Sequence, residues 1–511
     1  MRGRRGSGKA PKLAVEFEDA SDDRRPATNR RPRGFAPVTA QTPPSGDAAP
    51  LLTDGLPIPR RYWSMLAIGL ALSMTVLDGA IANIALPTIA TELHAKAVSA
   101  IWVINAYQLA ITVCLLPLSA LGDKIGYRKI YVVGLAVFTV GSLGCALSHS
   151  LAELTAARVV QGLGAAGVMS VNSALVRFTY PQALLGRGIG LNAVVVSMSA
   201  ALGPTLASGI LAVASWQWLF AINVPIGIVT VLVARRALPT TVGSGKPFDF
   251  VSAALNAITL GLLVLGAESL IRDGLVSGLP KLAVAVAAGA LLARRELRRA
   301  APLVPLDLLR IPIFGLSIAT SIVTFAAQML AFVALPFDFQ GPMGRTAVEA
   351  GLLMTPWPIA VAVAAPLAGR LADRYSAGIL GGIGLAVFAA GFGLLASLPL
   401  DASSLDIVWR MAICGLGFGF FQSPNNRAMV TAAPRHRSGA AGGMLSTARL
   451  LGQTFGALAM ALSFHLAPAH ATRIGLTAAA VLAAVAAGVS LLRLRAGDRP
   501  APASAEAGAG E

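Results

Sequence analysis

Apolar stretches of about 20 residues recur along the chain from Trp63 to Leu494, and short polar segments separate them. A helix of that length spans the hydrocarbon core of a bilayer. Of the 511 residues, 55% are hydrophobic and only 13% are charged. A soluble chain would carry charge on roughly a quarter of its residues. The sequence therefore predicts an all-α integral membrane protein.

Polar breaks divide the apolar region into fourteen predicted membrane-spanning helices. These are 62–88, 99–121, 129–148, 152–178, 188–213, 218–238, 249–270, 280–297, 313–339, 348–371, 378–398, 405–429, 439–465 and 473–493. The predicted domains are a disordered N-terminal tail over 1–60, a six-helix bundle over 61–240, two extra helices over 241–300, a second six-helix bundle over 301–495 and a disordered tail over 496–511.

Basic residues are distributed unevenly between the two sides of this predicted topology. Seventeen Lys and Arg residues fall in connectors on one side and five in connectors on the other. Because cytoplasmic loops carry the excess of positive charge, both termini are predicted to be cytoplasmic, in the inner or plasma membrane of a bacterium. The basic residues behind the formal charge of +17 are therefore interpreted as setting the orientation of the chain in the membrane, and no nucleic-acid partner is expected. The tail before Arg60 has no apolar core, so it is not interpreted as a signal peptide.

A short acidic and basic sequence occurs once in each half of the chain. After the second predicted span, Ser119-Ala-Leu-Gly precedes Asp123, Lys124, Gly126 and Arg128; after the tenth, Gly369-Arg-Leu-Ala precedes Asp373 and Arg374. Repeated halves are typical of secondary transporters, which bind substrate between them. These loops are predicted to make contacts in one conformation and break them in the other.

Three further motifs lie inside predicted spans. They are Leu77-Asp78-Gly-Ala-Ile-Ala-Asn83-Ile-Ala-Leu-Pro87, Arg158-Val-Val-Gln161-Gly162 and Gly203-Pro204-Thr-Leu-Ala207-Ser208-Gly209. Together with the repeated loop they resemble the major facilitator superfamily and, within it, the fourteen-helix drug:proton antiporter family of the EmrB/QacA type. Among that family the chain looks most like exporters of methyl viologen and quaternary ammonium compounds. Ser119 and Ala207-Ser208 depart from the family's glycines, although all three are small.

The resemblance implies a major facilitator fold with two six-helix bundles and two extra central helices. It implies a monomeric multidrug exporter that exchanges small, lipophilic, mostly cationic compounds for protons and confers antiseptic and antibiotic resistance. The proton gradient would be its energy source, without a cofactor, and its partners would be the bilayer, the substrate and protons. The sequence shows no Walker-type loop, nucleophile elbow or metal-ligand spacing, so an enzyme is not expected.

Ionisable residues inside spans are candidates for function, because burying them is costly unless they are paired or wetted. Asp78 lies about fifteen residues into the first span and could carry the proton. Arg158 lies roughly 10 Å below the outer end of the fourth span, a depth compatible with contact to Asp78. Gln161 would supply adjacent hydrogen bonds. The alternative is a purely structural role for these residues.

The sequence signal for substrate-binding residues is weaker than the signal for Asp78 and Arg158. Asp338 lies between Phe337 and Phe339, a combination that suits an organic cation, although an acid near the interface could also face water. The cavity is predicted to include Tyr107, Gln108, Gln328, Trp357, Gln422 and Asn425. Arg449 in the thirteenth span is interpreted as structural, since related sequences often have Arg near that position.

Gly203, Pro204 and Gly209 are predicted either to seal the path against leak or to form an ordinary helix kink. Three alternatives to multidrug export stay open at this stage. They are proton-coupled uptake on the same fold, export of one metabolite or antibiotic, and a membrane protein that transports nothing.

Overall fold

The computed structural model describes residues 55–495, except 182–183, 242, 244–247, 300–301, 373 and 434–437. Both predicted disordered tails, apart from residues 55–60, and the predicted loop residue Asp373 lie outside the described part. Within that part, every regular element is a helix.

The first bundle consists of α1 (Arg60–Glu92), α2 (Ala97–Ala100), α3 (Trp102–Ile125), α4 (Tyr127–Ala146), α5 (Leu151–Thr179), α6 (Leu185–Val213), α7 (Trp218–Ala221) and α8 (Asn223–Ala237). Two helices follow, α9 (Phe250–Asp273) and α10 (Leu275–Glu296). The second bundle consists of α11 (Pro312–Gln340), α12 (Ala347–Met354), α13 (Pro356–Leu371), α14 (Ala377–Ala396), α15 (Ser404–Ala432), α16 (Ser438–Leu466) and α17 (Ala471–Arg495). Short 3-10 helices at Leu306–Arg310 and Pro468–His470 precede α11 and α17.

Twelve helices in the described part are long and apolar enough to cross a membrane, where α2–α3, α7–α8 and α12–α13 each count as one continuous span. The 29-residue helices α6 and α16 correspond to the predicted spans 188–213 and 439–465 but are not among the twelve. Within α6, the stretches Arg187–Val196 and Leu202–Val213 are shorter apolar helix segments. The structure therefore supports twelve candidate spans and does not confirm the predicted fourteen.

Several spans begin at a side chain that caps the first turn. At the start of α5, Ser150 Oγ accepts a hydrogen bond from the Glu153 amide at 3.2 Å, and the Glu153 carboxylate accepts one from the His149 amide at 2.8 Å. Thr346 and Glu349 form the reciprocal pair at α12. Because such caps satisfy amides that have no partner inside the helix, they fix where each span begins.

The two bundles use glycine in the same way to bring helices into backbone contact. A Cβ atom on Gly162 of α5 would collide with the carbonyl of Tyr107 in α3, and one on Gly415 of α15 with the carbonyl of Trp357 in α13. Likewise, a Cβ atom on Gly164 would collide with the backbone of α4, and one on Gly417 with the backbone of α14. The repeat seen in the loop sequence therefore extends into the packing of the helices.

The α9–α10 pair packs chiefly on itself and also reaches both bundles. Asn256 Nδ2 of α9 donates to the Val113 carbonyl of α3 at 3.0 Å, and α9 also contacts α16. At its start, the Asp249 carboxylate accepts hydrogen bonds from the Ser252 amide at 3.2 Å and Arg295 of α10 at 3.1 Å. Burial raises the pKa of Asp249, but these hydrogen bonds outweigh it and lower that pKa to about 2.

Hydrogen bonds connect the two bundles at one end of the molecule, which we name the closed end. There, Gln340 Nε2 of α11 donates to the Ile84 carbonyl of α1 at 3.0 Å, and Thr88 Oγ1 donates to Gln340 Oε1 at 3.1 Å. Towards the same end, the hydroxyls of Thr205 in α6 and Thr355 lie 3.0 Å apart. All these contacts join uncharged side chains or backbone.

Candidate functional site

A buried polar cluster surrounds Asp78 inside the first bundle. Asp78 of α1 is 2% exposed, and Arg158 and Gln161 of α5 are both 0% exposed. Arg158 Nη1 donates to Asp78 Oδ2 in an ion pair. Gln161 Nε2 donates to Asp78 Oδ1 at 2.7 Å, and Asn223 Nδ2 of α8 donates to the same oxygen at 3.3 Å. The structure thus brings the three predicted proton-coupling residues together and adds Asn223.

Other groups hold Arg158 in place around this ion pair. Its Nε donates to the Val103 carbonyl at 2.9 Å, and its Nη1 also donates to Gln161 Oε1 at 2.6 Å. The guanidinium lies 4.0 Å from the centre of the Tyr107 ring, and the Tyr107 hydroxyl donates to the Thr75 carbonyl at 3.1 Å. Tyr107 therefore supports Arg158 inside the bundle, although the sequence predicted that it lines a cavity.

The charge balance of the cluster depends on whether Asp78 is ionised. With Asp78 ionised, the carboxylate and the guanidinium neutralise each other. With Asp78 protonated, Arg158 keeps its bonds to Val103 and Gln161 and the stacking on Tyr107, but loses its counter-charge. Since a buried charge without a partner is strongly unfavourable, a proton on Asp78 changes the most favourable arrangement around Arg158.

The glycine motif of α6 lies against this cluster's helix. A Cβ atom on Gly203 would lie 2.6 Å from the Cβ of Ala80 in α1, two residues after Asp78. The carbonyl of Pro204 accepts from the Ser208 hydroxyl at 2.9 Å, whereas Gly209 faces open space. Gly203 therefore permits a close approach of α6 to α1, and Gly209 does not serve such a contact.

Asp338 makes a hydrogen bond inside the second bundle. Its Oδ1 accepts from Thr472 Oγ1 of α17 at 2.8 Å, so it joins two helices of the second bundle. Phe337 packs edge-on against Phe464, with ring centres 5.0 Å apart, and Phe339 is fully buried. Both rings therefore already pack against other groups, and a substrate contact at Asp338 stays a prediction.

The remaining predicted cavity residues fall into two groups. Gln108 lies between the bundles, with Nε2 3.9 Å from Met329 Sδ of α11, and Gln328 is also buried in α11. Asn425 Nδ2 of α15 donates to Ser321 Oγ of α11 at 2.8 Å, inside the second bundle, and Gln422 of α15 is partly buried. Trp357 is enclosed by Phe332, Phe388 and Phe392, with ring centres 4.8 to 5.6 Å away.

The first copy of the repeated loop makes its described contacts within the first bundle. The Tyr127 hydroxyl donates to Asp123 Oδ1 at 2.6 Å, and Arg128 donates to the Arg235 carbonyl. Gly126 has a φ of 99°, a conformation that side chains disfavour, and its backbone lies against Thr241. Lys124 lies in the last turn of α3, and the exposed Arg374 belongs to the second copy of the loop.

Comparison with known proteins agrees with this architecture. A family model described as Major Facilitator Superfamily matches residues 68–457, with a second match over 317–510. The chain belongs to the Major Facilitator Superfamily. The resemblance inferred from the motifs is thereby confirmed at the level of the superfamily.

Relatives within the Major Facilitator Superfamily cover most of the chain. "Uncharacterized transporter YebQ" of Escherichia coli (strain K12) is 54% identical over 86% of this chain and 97% of its own length. "Multidrug resistance protein Stp" of Mycobacterium tuberculosis (strain CDC 1551 / Oshkosh) is 32% identical over 77% and 74%. A crystal structure of a POT family transporter in complex with 5-aminolevulinic acid has the same fold, with a TM-score of 0.66 at 15% identity over 85% and 96%.

Membership of the superfamily identifies a non-enzymatic, multi-pass membrane transporter of small molecules. Several bacterial relatives are drug or antibiotic resistance and efflux proteins. Among the described residues, no group of three His, Cys, Asp or Glu side chains could hold a metal ion.

Two groups in the cluster of this Major Facilitator protein escaped prediction. Asn223 and Ser142 complete the bonding of Asp78 and Gln161; Gln161 Nε2 donates to Ser142 Oγ at 2.8 Å. The sequence signal for Ser142 was a single polar residue in an apolar span, whereas Asn223 lies in the stretch Trp216–Pro225, which also carries the resemblance to the family. Arg493 of α17 was also missed; it is fully buried and donates to the hydroxyls of Ser317 and Ser490.

Proposed function

We propose that this transporter exports small lipophilic organic compounds in exchange for protons, as a member of the drug:proton antiporter family. One observation carries the proposal: Asp78 is buried within the membrane-spanning bundle, and its counter-charge is Arg158. A carboxyl group can be neutralised by a proton, whereas a guanidinium in a protein stays charged. The pair can therefore respond to a proton without any cofactor.

The exchange follows from the two charge distributions of the cluster. A proton that enters from the side of higher proton concentration binds the Asp78 carboxylate and breaks its ion pair with Arg158. Arg158 then interacts more strongly with its remaining partners on α3 and α5. Because α1 also contacts α11 and α6 contacts α12, a shift of α1 relative to α5 changes how the two bundles meet. Release of the proton on the other side restores the pair.

We further propose that α6 and α16 cross the membrane as well, which gives fourteen spans and places both termini on one side. The excess of Lys and Arg in the connectors then assigns the termini to the cytoplasm and the closed end to the outside of a bacterial inner membrane. In that orientation the cluster around Asp78 lies nearer the outer surface. The protein is proposed to work as a monomer.

The substrate class is proposed from the resemblance and from the relatives. Exporters of methyl viologen and quaternary ammonium compounds favour cations, and resistance proteins among the relatives favour export over uptake. A narrow exporter of one antibiotic would use the same cluster around Asp78.

The experiment measures proton release from energised inverted vesicles after addition of methyl viologen, ethidium, a quaternary ammonium compound or a neutral hydrophobic antibiotic. Wild type is expected to release protons with at least one compound, and Asp78→Asn is expected to abolish release at equal protein abundance. The matched control is Asp406→Asn, because Asp406 is a partly exposed acid paired with Arg410 outside the cluster.

Release that persists in Asp78→Asn at the wild-type rate would refute Asp78 as the proton carrier. Counterflow of a radiolabelled substrate would then show its direction, and net uptake driven by inward protons would refute export.

A further inference from the structure

Arg449 is a partly buried cation that the cluster around Asp78 does not use. It is the twelfth residue of the 29-residue helix α16, and therefore lies about 17 Å along that helix. Its Nε atom is buried, and no described residue accepts a hydrogen bond from it. None of the ion pairs between described residues includes Arg449.

The neighbours of Arg449 on α16 show which way it faces. Leu450 packs in one apolar cluster with Tyr107, Ile111 and Leu115 of α3, in the first bundle. Gly452 lies against the Ile322 carbonyl of α11. At about 100° per residue, Arg449 lies roughly 60° from Gly452 and 100° from Leu450 around the helix, between these two faces.

Arg449 therefore faces the place where α3, α11 and α16 meet, which we name the seam. The seam separates the two bundles, because α3 belongs to the first and α11 and α16 to the second. Gln108 of α3 and Met329 of α11 also meet across the bundles, with Nε2 and Sδ 3.9 Å apart. Transporters built from two repeated halves bind substrate at such a boundary, near the middle of the membrane.

Four carboxylates that are buried or partly buried in the described part are engaged elsewhere. Asp78 pairs with Arg158, and Asp338 accepts from Thr472. Glu268 accepts from Trp102 Nε1, and Glu296 accepts from the Val304 amide. A guanidinium held inside a membrane protein is unfavourable without a counter-charge, and it does not lose its proton. The counter-charge of Arg449 must therefore come from outside this set of acids.

We propose that Arg449 binds an anionic oxygen group, a carboxylate or phenolate, of a lipophilic compound that this protein transports. The planar guanidinium can donate two parallel hydrogen bonds to a carboxylate, or a charge-assisted hydrogen bond to the single oxygen of a phenolate. The apolar side chains of Ile111, Met329 and Leu450 would contact the hydrocarbon frame of the compound. The inference rests on the proposed transport function. It replaces the structural role assigned to Arg449 from sequence, and it favours acidic compounds over the cations suggested by resemblance.

The test compares three probes that share one ring system and differ in charge: 1-naphthoate, 1-naphthamide and 1-naphthylmethylammonium. Equilibrium dialysis measures their binding to the purified full-length protein in nanodiscs, at a pH where the carboxylate and the ammonium are both ionised. Wild type is expected to bind the carboxylate ~10-fold more tightly than the amide, as for one charge-assisted hydrogen-bond pair. The ammonium is expected to bind most weakly.

Arg449→Gln is expected to reduce the affinity for naphthoate to that for naphthamide, whereas Arg449→Lys should retain a preference for the carboxylate. Arg473→Gln is the matched control, since Arg473 is an exposed basic residue at the start of α17. Thermal unfolding of each variant in detergent verifies that it is folded. If Arg449→Gln is not folded, Arg449→Lys decides the test, because lysine cannot make the two parallel hydrogen bonds and its preference for the carboxylate should be smaller than that of wild type. An undiminished preference in Arg449→Lys would then overturn the proposal.

Equal binding of the carboxylate and the amide by wild type would overturn the proposal, and so would a preference that survives in folded Arg449→Gln. The proton-release experiment is separate. Binding of naphthoate that depends on Arg449, without proton release by any compound, supports this site and refutes the proposed exchange. Proton release driven by cations, without a preference for naphthoate, supports the exchange and refutes this site.

Discussion

The two bundles share a packing scheme but fill it with different chemistry. Gly162 and Gly415 occupy matching places, since each lets its helix touch the backbone of a neighbour at an aromatic residue, Tyr107 in one bundle and Trp357 in the other. Four residues before these glycines lie Arg158 in the first bundle and Met411 in the second, both fully buried.

The adjacent positions are likewise polar in the first bundle and apolar in the second. Gln161 of the first bundle corresponds to Cys414 of the second, because Gly141 packs on the former and Gly391 on the latter. Counting along α4 and α14 from those glycines, Ser142 corresponds to Phe392. One bundle therefore has a charged, hydrogen-bonded interior where the other has rings in contact, such as Phe388 and Phe392 with centres 4.3 Å apart.

This difference shows how a repeated fold can separate two tasks. The glycine contacts preserve the helix arrangement in both halves, so the residues between them are free to diverge. We infer that the first bundle carries the proton and that the second provides a rigid aromatic core. Four predictions test this division, from the largest expected effect to the smallest.

Replacing Arg158 by Met gives the first bundle the residue that the second has at the matching position, and this change should have the largest effect on stability and proton release. The change leaves Asp78 buried without its counter-charge, so the free energy of unfolding should fall by about 3–5 kcal/mol. Substrate-dependent proton release should also be lost. Chemical denaturation in detergent micelles measures the stability. Met411→Leu is the control and should cost less than about 1.5 kcal/mol; an equally small loss for Arg158→Met would contradict the division.

Phe392→Ala removes a ring from the aromatic core of the second bundle. A cavity of that size should lower the free energy of unfolding by about 3–5 kcal/mol. Unlike Arg158→Met, it should leave proton release per folded molecule unchanged, because no charged group is altered. Vesicle measurements normalised to folded protein check this expectation, and a selective loss of proton release would assign the second bundle a part in coupling.

Gly162→Ala and Gly415→Ala should have similar effects, because each new Cβ collides with a carbonyl of the neighbouring helix. Each substitution should cost about 1–3 kcal/mol by overpacking. Gly393→Ala is the control, since no atom lies within 4 Å of its added Cβ. Alanine there should stabilise the helix by about 0.5–1 kcal/mol. If the three variants have the same stability, the matched glycine packing is not what holds the helices together.

Ser142→Ala should have the smallest effect. It removes one acceptor of the Gln161 amide, which still donates to Asp78, so the loss should be about 0.5–1.5 kcal/mol. Proton release should persist. A loss as large as that of Arg158→Met would show that the outer members of the cluster are as important as the ion pair.

The positions of the helices were largely predictable, because an apolar run of membrane length has few alternative structures in lipid. The first span, predicted over 62–88, is Arg60–Glu92, and the eleventh, predicted over 378–398, is Ala377–Ala396. The grouping of Asp78, Arg158 and Gln161 was predictable from depth and motif together. Their roles in coupling stay predictions.

Contacts between distant helices were much harder to predict. The sequence places Asn223 and Tyr107 in spans but does not show that both face Arg158 and Asp78. Helices in a membrane bundle are apolar on most sides, so periodicity does not identify the face that meets a given neighbour. For the same reason, the hydrogen bond between Asp338 and Thr472 was not foreseen.

The closed end has a consequence for the environments in which this protein can work. Its described hydrogen bonds, at Gln340, Thr88, Ile84, Thr205 and Thr355, join only neutral groups. Dissolved ions screen attractions between charges but leave bonds between neutral amides and hydroxyls almost unaffected. Each of these groups can also bond to water when the bundles separate, so opening forfeits little enthalpy. The contribution of the closed end to the balance between shut and open forms should therefore vary little between dilute and brackish surroundings.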